Sequence, residues 1–427
     1  MSTASAVVPI GYKQTEIGVI PGDWVLSTLG KISLLKSGGT PNRNVKEYWN
    51  GMIPWVTTSE VDWNVITESV QYISEKGLEN SSAKFLSKGT VLMAMYGQGK
   101  TRGKVAVLDL DATTNQACAA LVIDKAISNS YVFYSLVFKY FQIRNLSNTG
   151  NQENLSLALI KDIQISLPIT KSEQDAIAIA LSESEIHILT LQNLIAKKRD
   201  IKQGTMQGLL TGKTRLPGFS DEWKTAKLKD FLKTPVTDGP HLTPIFHRTG
   251  IPFLSVNNLV NNRINFSELR YISNEDHIEF SKKCKPERND ILLGKAASVG
   301  KVAIIDFDLE LNIWSPLALI RVNKKHNSKF VFYSFQSRNI LYQIELLTNS
   351  SSQGNIGMGD IELLIFNLPE KDEQIAIAEI LSDMDAEITA LEERLEKAKA
   401  IKQGMMQQLL TGKIRLVEPQ TSQEVSA

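Results

Sequence analysis

The chain has 427 residues, of which 42% are apolar and 22% charged, and a net charge of +1. That length supports two to four domains with full cores, and the near-neutral balance excludes a uniformly basic surface, so any basic face must come from local segregation of charge. Cys118 and Cys284 lack CxxC spacing and read as reduced thiols; with no basic, apolar leader and no apolar run of about 18 residues, the expectation is a cytoplasmic protein without membrane contact.

The first element in chain order is a Pro21-Gly22-x-Trp24 opening. A turn, Ser37-Gly38-Gly39-Thr40-Pro41, follows, with Lys36 before it and Asn42 and Arg43 after it. Small side chains allow close approach to a duplex, and Asn and Arg can bond bidentately to base edges, so this turn is a candidate DNA contact; a plain surface loop would look the same. Residues 90–95 and Val105–Leu108 are short apolar runs that read as strands.

Between those strands lies Ala94-Met95-Tyr96-Gly97-Gln98-Gly99-Lys100-Thr101, which nearly spells a nucleotide-binding loop with Ala for the first glycine. Such a loop must open a helix, whose N-terminus holds the phosphates. Here Arg102-Gly103-Lys104 runs into a strand pattern instead. A glycine-rich hairpin carrying Tyr96, Gln98, Lys100, Arg102 and Lys104 suits contact with nucleic-acid phosphates better, with a solvated turn as the bland alternative. Residues 131–146 read as helical, and Gln152-x-Asn154 precedes the next long element.

That element, residues 173–216, recurs at 373–416 with about half the positions identical and no gap. A long-period repeat governs the architecture. Ile177, Leu181, Ile188, Leu191 and Ile195 form a heptad seam, with Ser184 filling its gap. Ile377, Leu381, Met384, Ile388, Leu391, Leu395 and Ala398 repeat it. Ser172 with Asp175 suggests a capping box at the first start, and Gly212 and Gly412 stand where C-terminal glycine caps belong. Each helix would approach 40 residues, roughly 57 Å. Heptad helices of that length need a partner, and a pseudo-two-fold relation between like halves would run them antiparallel. Packing of each on its own domain is the alternative.

The globular segments repeat more weakly. Pro217-Gly218…Trp223, Gly250-Ile251-Pro252-Phe253, Gly300-Lys301-Val302-Ala303-Ile304, Phe330-Val331-Phe332-Tyr333-Ser334 and Gln353-x-Asn355 answer pieces of the first half. In the second half Thr237-Asp238-Gly239-Pro240 replaces the first turn, followed by His241, Thr243, His247 and Arg248. The second hairpin carries Lys295, Ser298 and Lys301. Gln152, Asn154, Gln353 and Asn355 recur where the loops differ, so backbone contact or a structural turn that launches the helix suits them better than base reading. The basic runs 197–199 and 282–285 read as solvated faces, and no histidine has metal-ligand spacing.

The twin Leu209-Leu210-Thr211-Gly212-Lys213 and Leu409-Leu410-Thr411-Gly412-Lys413 endings, the Pro-Gly-x-Trp opening, the Ser37–Pro41 turn and the Gln-x-Asn motifs together resemble the specificity subunit of type I restriction–modification enzymes. The resemblance implies an α+β chain: recognition domains at 1–169 and 214–370 and long helices at 170–213 and 371–414 in an antiparallel coiled coil; the polar tail at 415–427 is expected to be disordered. It implies a non-catalytic subunit in which each domain reads one half of a bipartite double-stranded DNA site and the helices set the gap. Its partners would be two methyltransferase subunits and two restriction/translocase subunits. It would carry no cofactor of its own, with S-adenosylmethionine, ATP and magnesium on the partners. A coiled-coil scaffold without DNA binding and a nucleotide hydrolase built on Lys100 are the alternatives.

Overall fold

In the computed structural model, which describes residues 8–97, 99–146, 154–349 and 354–417, the apolar runs are strands and the repeated segments are helices. Five strands form the first central sheet: β1 (Ser33–Ser37), β2 (Val65–Ile66), β3 (Val91–Ala94), β4 (Val105–Leu108) and β5 (Cys118–Ile123), in the order β1-β5-β3-β4-β2. All four residues of β3 are fully buried, which explains a continuous apolar run where a half-exposed strand would alternate. Beside this sheet, Trp49–Val56 pairs antiparallel with Tyr72–Ile73 and parallel with Thr113–Thr114.

The second half repeats the plan. β6 (Thr237–Asp238), β7 (Ile291–Gly294), β8 (Val302–Ile304) and β9 (Leu317–Ile320) form a sheet of order β6-β9-β7-β8. Ile251–Leu254 pairs antiparallel with Arg270–Ile272 and parallel with Asn312–Ile313. The helical stretch expected at 131–146 is broken in two, as Asn129–Phe138 with Tyr140–Arg144, and the second half repeats the break in Ser328–Phe335 with Arg338–Asn349.

The repeated helices are α1 (Lys171–Leu209) and α2 (Lys371–Leu409), 39 residues each. α1 starts before the expected capping box. The Thr170 hydroxyl accepts the Glu173 amide at 3.3 Å, so Thr170 rather than Ser172 caps it. Gly212 and Gly412 both hold φ of +69°, the left-handed conformation that lets glycine end a helix.

The chain forms two compact units whose boundaries run through both helices. The first takes residues up to Leu191 and those from Arg394 onward; the second is 192–393. In the first unit, Ile177, Ala178 and Leu181 of α1 share one core with Met406, Leu409 and Leu410 from the far end of α2. In the second, Ile377, Ala378 and Leu381 share a core with Met206, Leu209 and Leu210. Each of these Ile, Leu and Met side chains contributes roughly 1.5–3 kcal/mol on burial. Within each unit the helices run antiparallel. Glu185 meets Lys402 in the first unit. In the second, Lys198 meets Glu387 and Lys202 meets Asp385, both at 2.6 Å. Ile188, Leu191, Ile195, Ile388 and Leu391 are buried, and Met384 and Leu395 are half-buried.

A second feature of the repeat emerges only in three dimensions. Glu173 and Glu373, 3% and 2% exposed, open the helices beside Gln174 and Gln374. The Arg415 Nη2 donates to Glu173 at 2.8 Å and to Asp23 at 2.9 Å. Arg215 grips Glu373 through two bonds, at 2.7 and 2.8 Å, while the Trp223 indole donates to the same carboxylate at 3.1 Å. Burial disfavours the Arg415 cation, but Glu173 and Asp23 outweigh it and hold the guanidinium above its ordinary range.

Candidate nucleic-acid interface

Strand register decides which loops meet. Ser37 at the end of β1 lies opposite Ala119, and Ala94 at the end of β3 lies opposite Cys118, while Met93 faces Val105. The turn after Ser37, the 115–117 loop and the 95–104 hairpin therefore gather at one end of the sheet. In the second unit Asp238 lies opposite Ala318, Gly294 opposite Leu317, and Leu293 opposite Val302, so the corresponding loops gather the same way.

At the first end, Gly38 is required by close approach: a Cβ there would stand 2.2 Å from the Thr114 carbonyl oxygen. The Gly39 amide donates to that oxygen at 2.8 Å, and the Gly39 carbonyl accepts the Trp55 indole at 2.9 Å. This fixed turn presents Thr40, bonded to Gln116, and then exposed Asn42 and Arg43. The Arg43 guanidinium lies 4.0 Å from the Trp49 ring and donates to Gln71 at 2.8 Å, so it is held in place before any ligand arrives. Lys36 and Ser37 are half-buried.

The glycine-rich segment is a hairpin turn. β3 and β4 pair antiparallel on either side of it, so the turn runs into a strand and not into the helix that a phosphate-binding loop opens. Tyr96 and Lys100 are exposed. Tyr140 donates to the Lys100 carbonyl at 2.6 Å, and Arg144 donates to the Gly99 carbonyl at 2.6 Å, bracing the turn. Arg102 is 3% exposed and donates to the Arg144 carbonyl at 3.2 Å. A guanidinium so buried cannot also reach a phosphate, so its place is in the brace. Lys104 is engaged by Asp62 and lies 4.5 Å from the Trp63 ring.

At the second end, Gly239 is still more constrained, since a Cβ would stand 1.7 Å from the Ile313 carbonyl oxygen. His241, Thr243, His247 and Arg248 are exposed in the following loop, and the His247 amide bonds the Tyr271 carbonyl at 2.9 Å. The hairpin carries half-buried Lys295 and Ser298 and exposed Lys301. Asp238 receives Lys283 at 2.5 Å and Lys295 at 3.1 Å. Burial raises the Asp238 carboxyl, but the two ammonium groups more than reverse this and hold it below its ordinary range.

Gln98, Gln152 and Gln353 lie outside the described residues. Asn154 and Asn355 are half-buried. The residue after each docks by backbone alone: Leu155 donates to the Met95 carbonyl at 3.0 Å and Ile356 to the Lys295 carbonyl at 2.9 Å. These segments lead into short helices, Leu157–Lys161 and Met358–Glu362, and a strand then intervenes before each long helix, so they do not launch the long helices directly.

Sequence reasoning missed the braces Tyr140 and Arg144, the Trp49–Gln71 seat of Arg43, and Asp238 with Lys283. Only the recurrence of Glu173/Glu373 and Arg215/Arg415 signalled the helix-end clasp. The basic runs are also not simply solvated, since Arg199 pairs with Glu392 at 2.6 Å and Lys283 with Asp238. Among the described residues no cluster of three or more His, Cys, Asp or Glu is arranged to hold a metal. Among them, too, no helix is long and apolar enough to cross a membrane.

Comparison with known proteins gives a consistent result. The family described as type I restriction modification DNA specificity domain matches twice, over residues 21–199 and 220–402. A specificity subunit named for the type I restriction enzyme MjaIX of Methanocaldococcus jannaschii is 24% identical, covering 95% of this chain and 97% of that one. The crystal structure of a type I restriction–modification S subunit from M. genitalium has a similar fold, with a TM-score of 0.61 and 14% identity over 90% of this chain and 96% of that one. A chain from a study of assembly and conformational transition in the type I system matches with a TM-score of 0.57 and 17% identity, covering 92% of this chain and 99% of its own.

Proposed function

The chain belongs to the type I restriction–modification DNA-specificity family, and from that premise we propose that it is the DNA-reading, non-catalytic subunit of such a complex. Each unit reads one half of a bipartite double-stranded site through the loops at the end of its central sheet. The long helices set the gap between half-sites. The chain directs adenine methylation or restriction performed by two methyltransferase and two translocase subunits, which carry S-adenosylmethionine, ATP and magnesium.

One observation carries this reading. A similar sheet plan occurs twice, and the turn Ser37–Pro41 and the 95–104 hairpin of one copy, and their unlike counterparts Thr237–Pro240 and 295–301 in the other, gather at the same end of each sheet. Exposed Asn42, Arg43 and Lys100 in the first, and His241, Thr243, His247 and Arg248 in the second, are of the polar and basic kinds that contact phosphates and base edges. A scaffold protein would have no need of unlike loops at that shared end. The test is methylome sequencing of a host expressing this chain with its methyltransferase subunit. One bipartite motif, lost when the chain is deleted, is the expected result; absence of any motif from a soluble complex would sink the proposal.

A further inference from the structure

Register alignment of the two units matches Asp238 with Ser37, since Asp238 faces Ala318 and Ser37 faces Ala119 in equivalent strand pairs. It also matches Lys295 with Met95, because each follows the strand residue, Gly294 or Ala94, that faces the start of the next strand. Their backbones agree: the Lys295 amide donates to the Pro316 carbonyl and the Met95 amide to the Ala117 carbonyl, both at 2.9 Å. One unit therefore builds this corner from a serine and a buried methionine, and the other from an aspartate and a lysine.

The frame folds without the ion pair, as the first unit demonstrates. A buried pair is seldom a device for stability, because desolvation offsets its Coulombic gain. Its geometry is nevertheless specific. The Asp238 side chain is 1% exposed and Lys295 is 16% exposed. Lys283 spans from the Asp238 Oδ1, at 2.5 Å, to the Gly239 carbonyl, at 3.1 Å. The other oxygen, Oδ2, faces the Lys295 ammonium at 3.1 Å and the His241 ring at 3.4 Å. Gly239 tolerates no side chain, which fixes the turn immediately after the carboxylate.

Building on the proposed DNA-reading role, we propose that Asp238 is a positioning residue of the second reader. Too buried to touch DNA, it gathers Lys295 and Lys283 at the reading end. It aims their ammonium groups at one electronegative acceptor of the duplex, either a phosphate oxygen or the O6/N7 edge of a guanine. Two flexible lysines released from the carboxylate would bind any DNA more strongly and discriminate less. The first reader uses a different device at its own end, the stacked Arg43, so the feature belongs to one half-site only.

The test measures binding of the full complex with its methyltransferase to duplexes altered in one half-site at a time, across a range of salt. Asp238→Asn keeps the shape and removes the charge. It is expected to steepen the salt dependence by about one unit of slope and to cut discrimination at the second half-site by about tenfold, leaving the first unchanged. Lys295→Met separates the two acceptors: a uniform loss with a slope reduced by about one identifies phosphate, and a loss confined to one base pair identifies guanine. Asp238→Ser with Lys295→Met installs the pair of the first unit and is expected to melt like the parent while losing second-site discrimination. An Asp238→Asn complex whose slope and discrimination match the parent overturns the inference. A parent complex that reads neither half-site overturns the DNA-reading function itself, and the inference with it.

Discussion

Arg415 reaches Glu173 across 242 positions of sequence, and within the first unit this bond ties the end of one repeat to the start of the other. Glu173 is 3% exposed, so deleting its partner leaves a buried carboxylate uncompensated. Breaking such a pair costs about 3 kcal/mol. Arg415→Ala should therefore lower the urea midpoint of the first unit, and ending the chain after Lys413 should do the same. Arg415→Met with Glu173→Met should recover most of the loss. An unchanged midpoint in Arg415→Ala would show that the clasp is incidental.

The hairpin separates two kinds of basic residue. Exposed Lys100 should act on DNA, so Lys100→Ala is expected to reduce the salt slope of binding by about one. Buried Arg102 should act on the hairpin, so Arg102→Ala should lower thermal stability first. Any ATP hydrolysis by the full complex should be unchanged per DNA bound in Lys100→Ala. Hydrolysis by this chain alone, abolished in that variant, would revive the nucleotidase alternative.

Acid stability carries a sign that can be checked. The folded-state pKa of Asp238 lies below its unfolded value. Its contribution is thus fully present above the usual carboxylate range and is lost as pH falls through the folded-state value. Stability curves of the parent and Asp238→Asn should differ most at neutral pH and converge on acidification. Curves that stay parallel down to strongly acid pH would contradict the assignment.

Modularity follows from the closed cores. Exchanging residues 217–368 for those of a relative retains both Arg215 and Glu373, hence the second clasp. The methylated motif should change in one half-site only. A change in both, from a soluble complex, would be incompatible with two independent readers.

The spacer proposal requires matched insertions. The antiparallel pairs Glu185–Lys402 and Lys202–Asp385 fall out of step if only one helix is lengthened. One heptad placed after Leu191 and another after Glu393 leaves the pairs within each unit intact. Seven residues add about 10 Å, or about three base pairs of B-DNA, so the gap in the methylated motif should widen by that amount. Binding should weaken, because the half-sites also rotate by roughly a third of a turn. A functional variant with an unchanged gap would show that the helices are not the ruler.

Much of this architecture follows from sequence alone, because helices and repeats are written locally. The seam from Ile177 to Leu395, the glycine caps at 212 and 412, and the strand that follows the Lys100 turn all express short-range periodicity or backbone preference. The close approach behind Gly38 and Gly239 was only partly legible: a glycine signals tolerance of crowding, but the carbonyl it meets comes from a distant strand. Tertiary structure alone decided the rest. It assigned Met406 and Leu410 to the core that begins with Ile177, buried Arg102 while exposing Lys100, and matched Asp238 with Ser37. Each of these depends on which distant segments share a register or a core, and that is set by long-range packing, which no local pattern encodes.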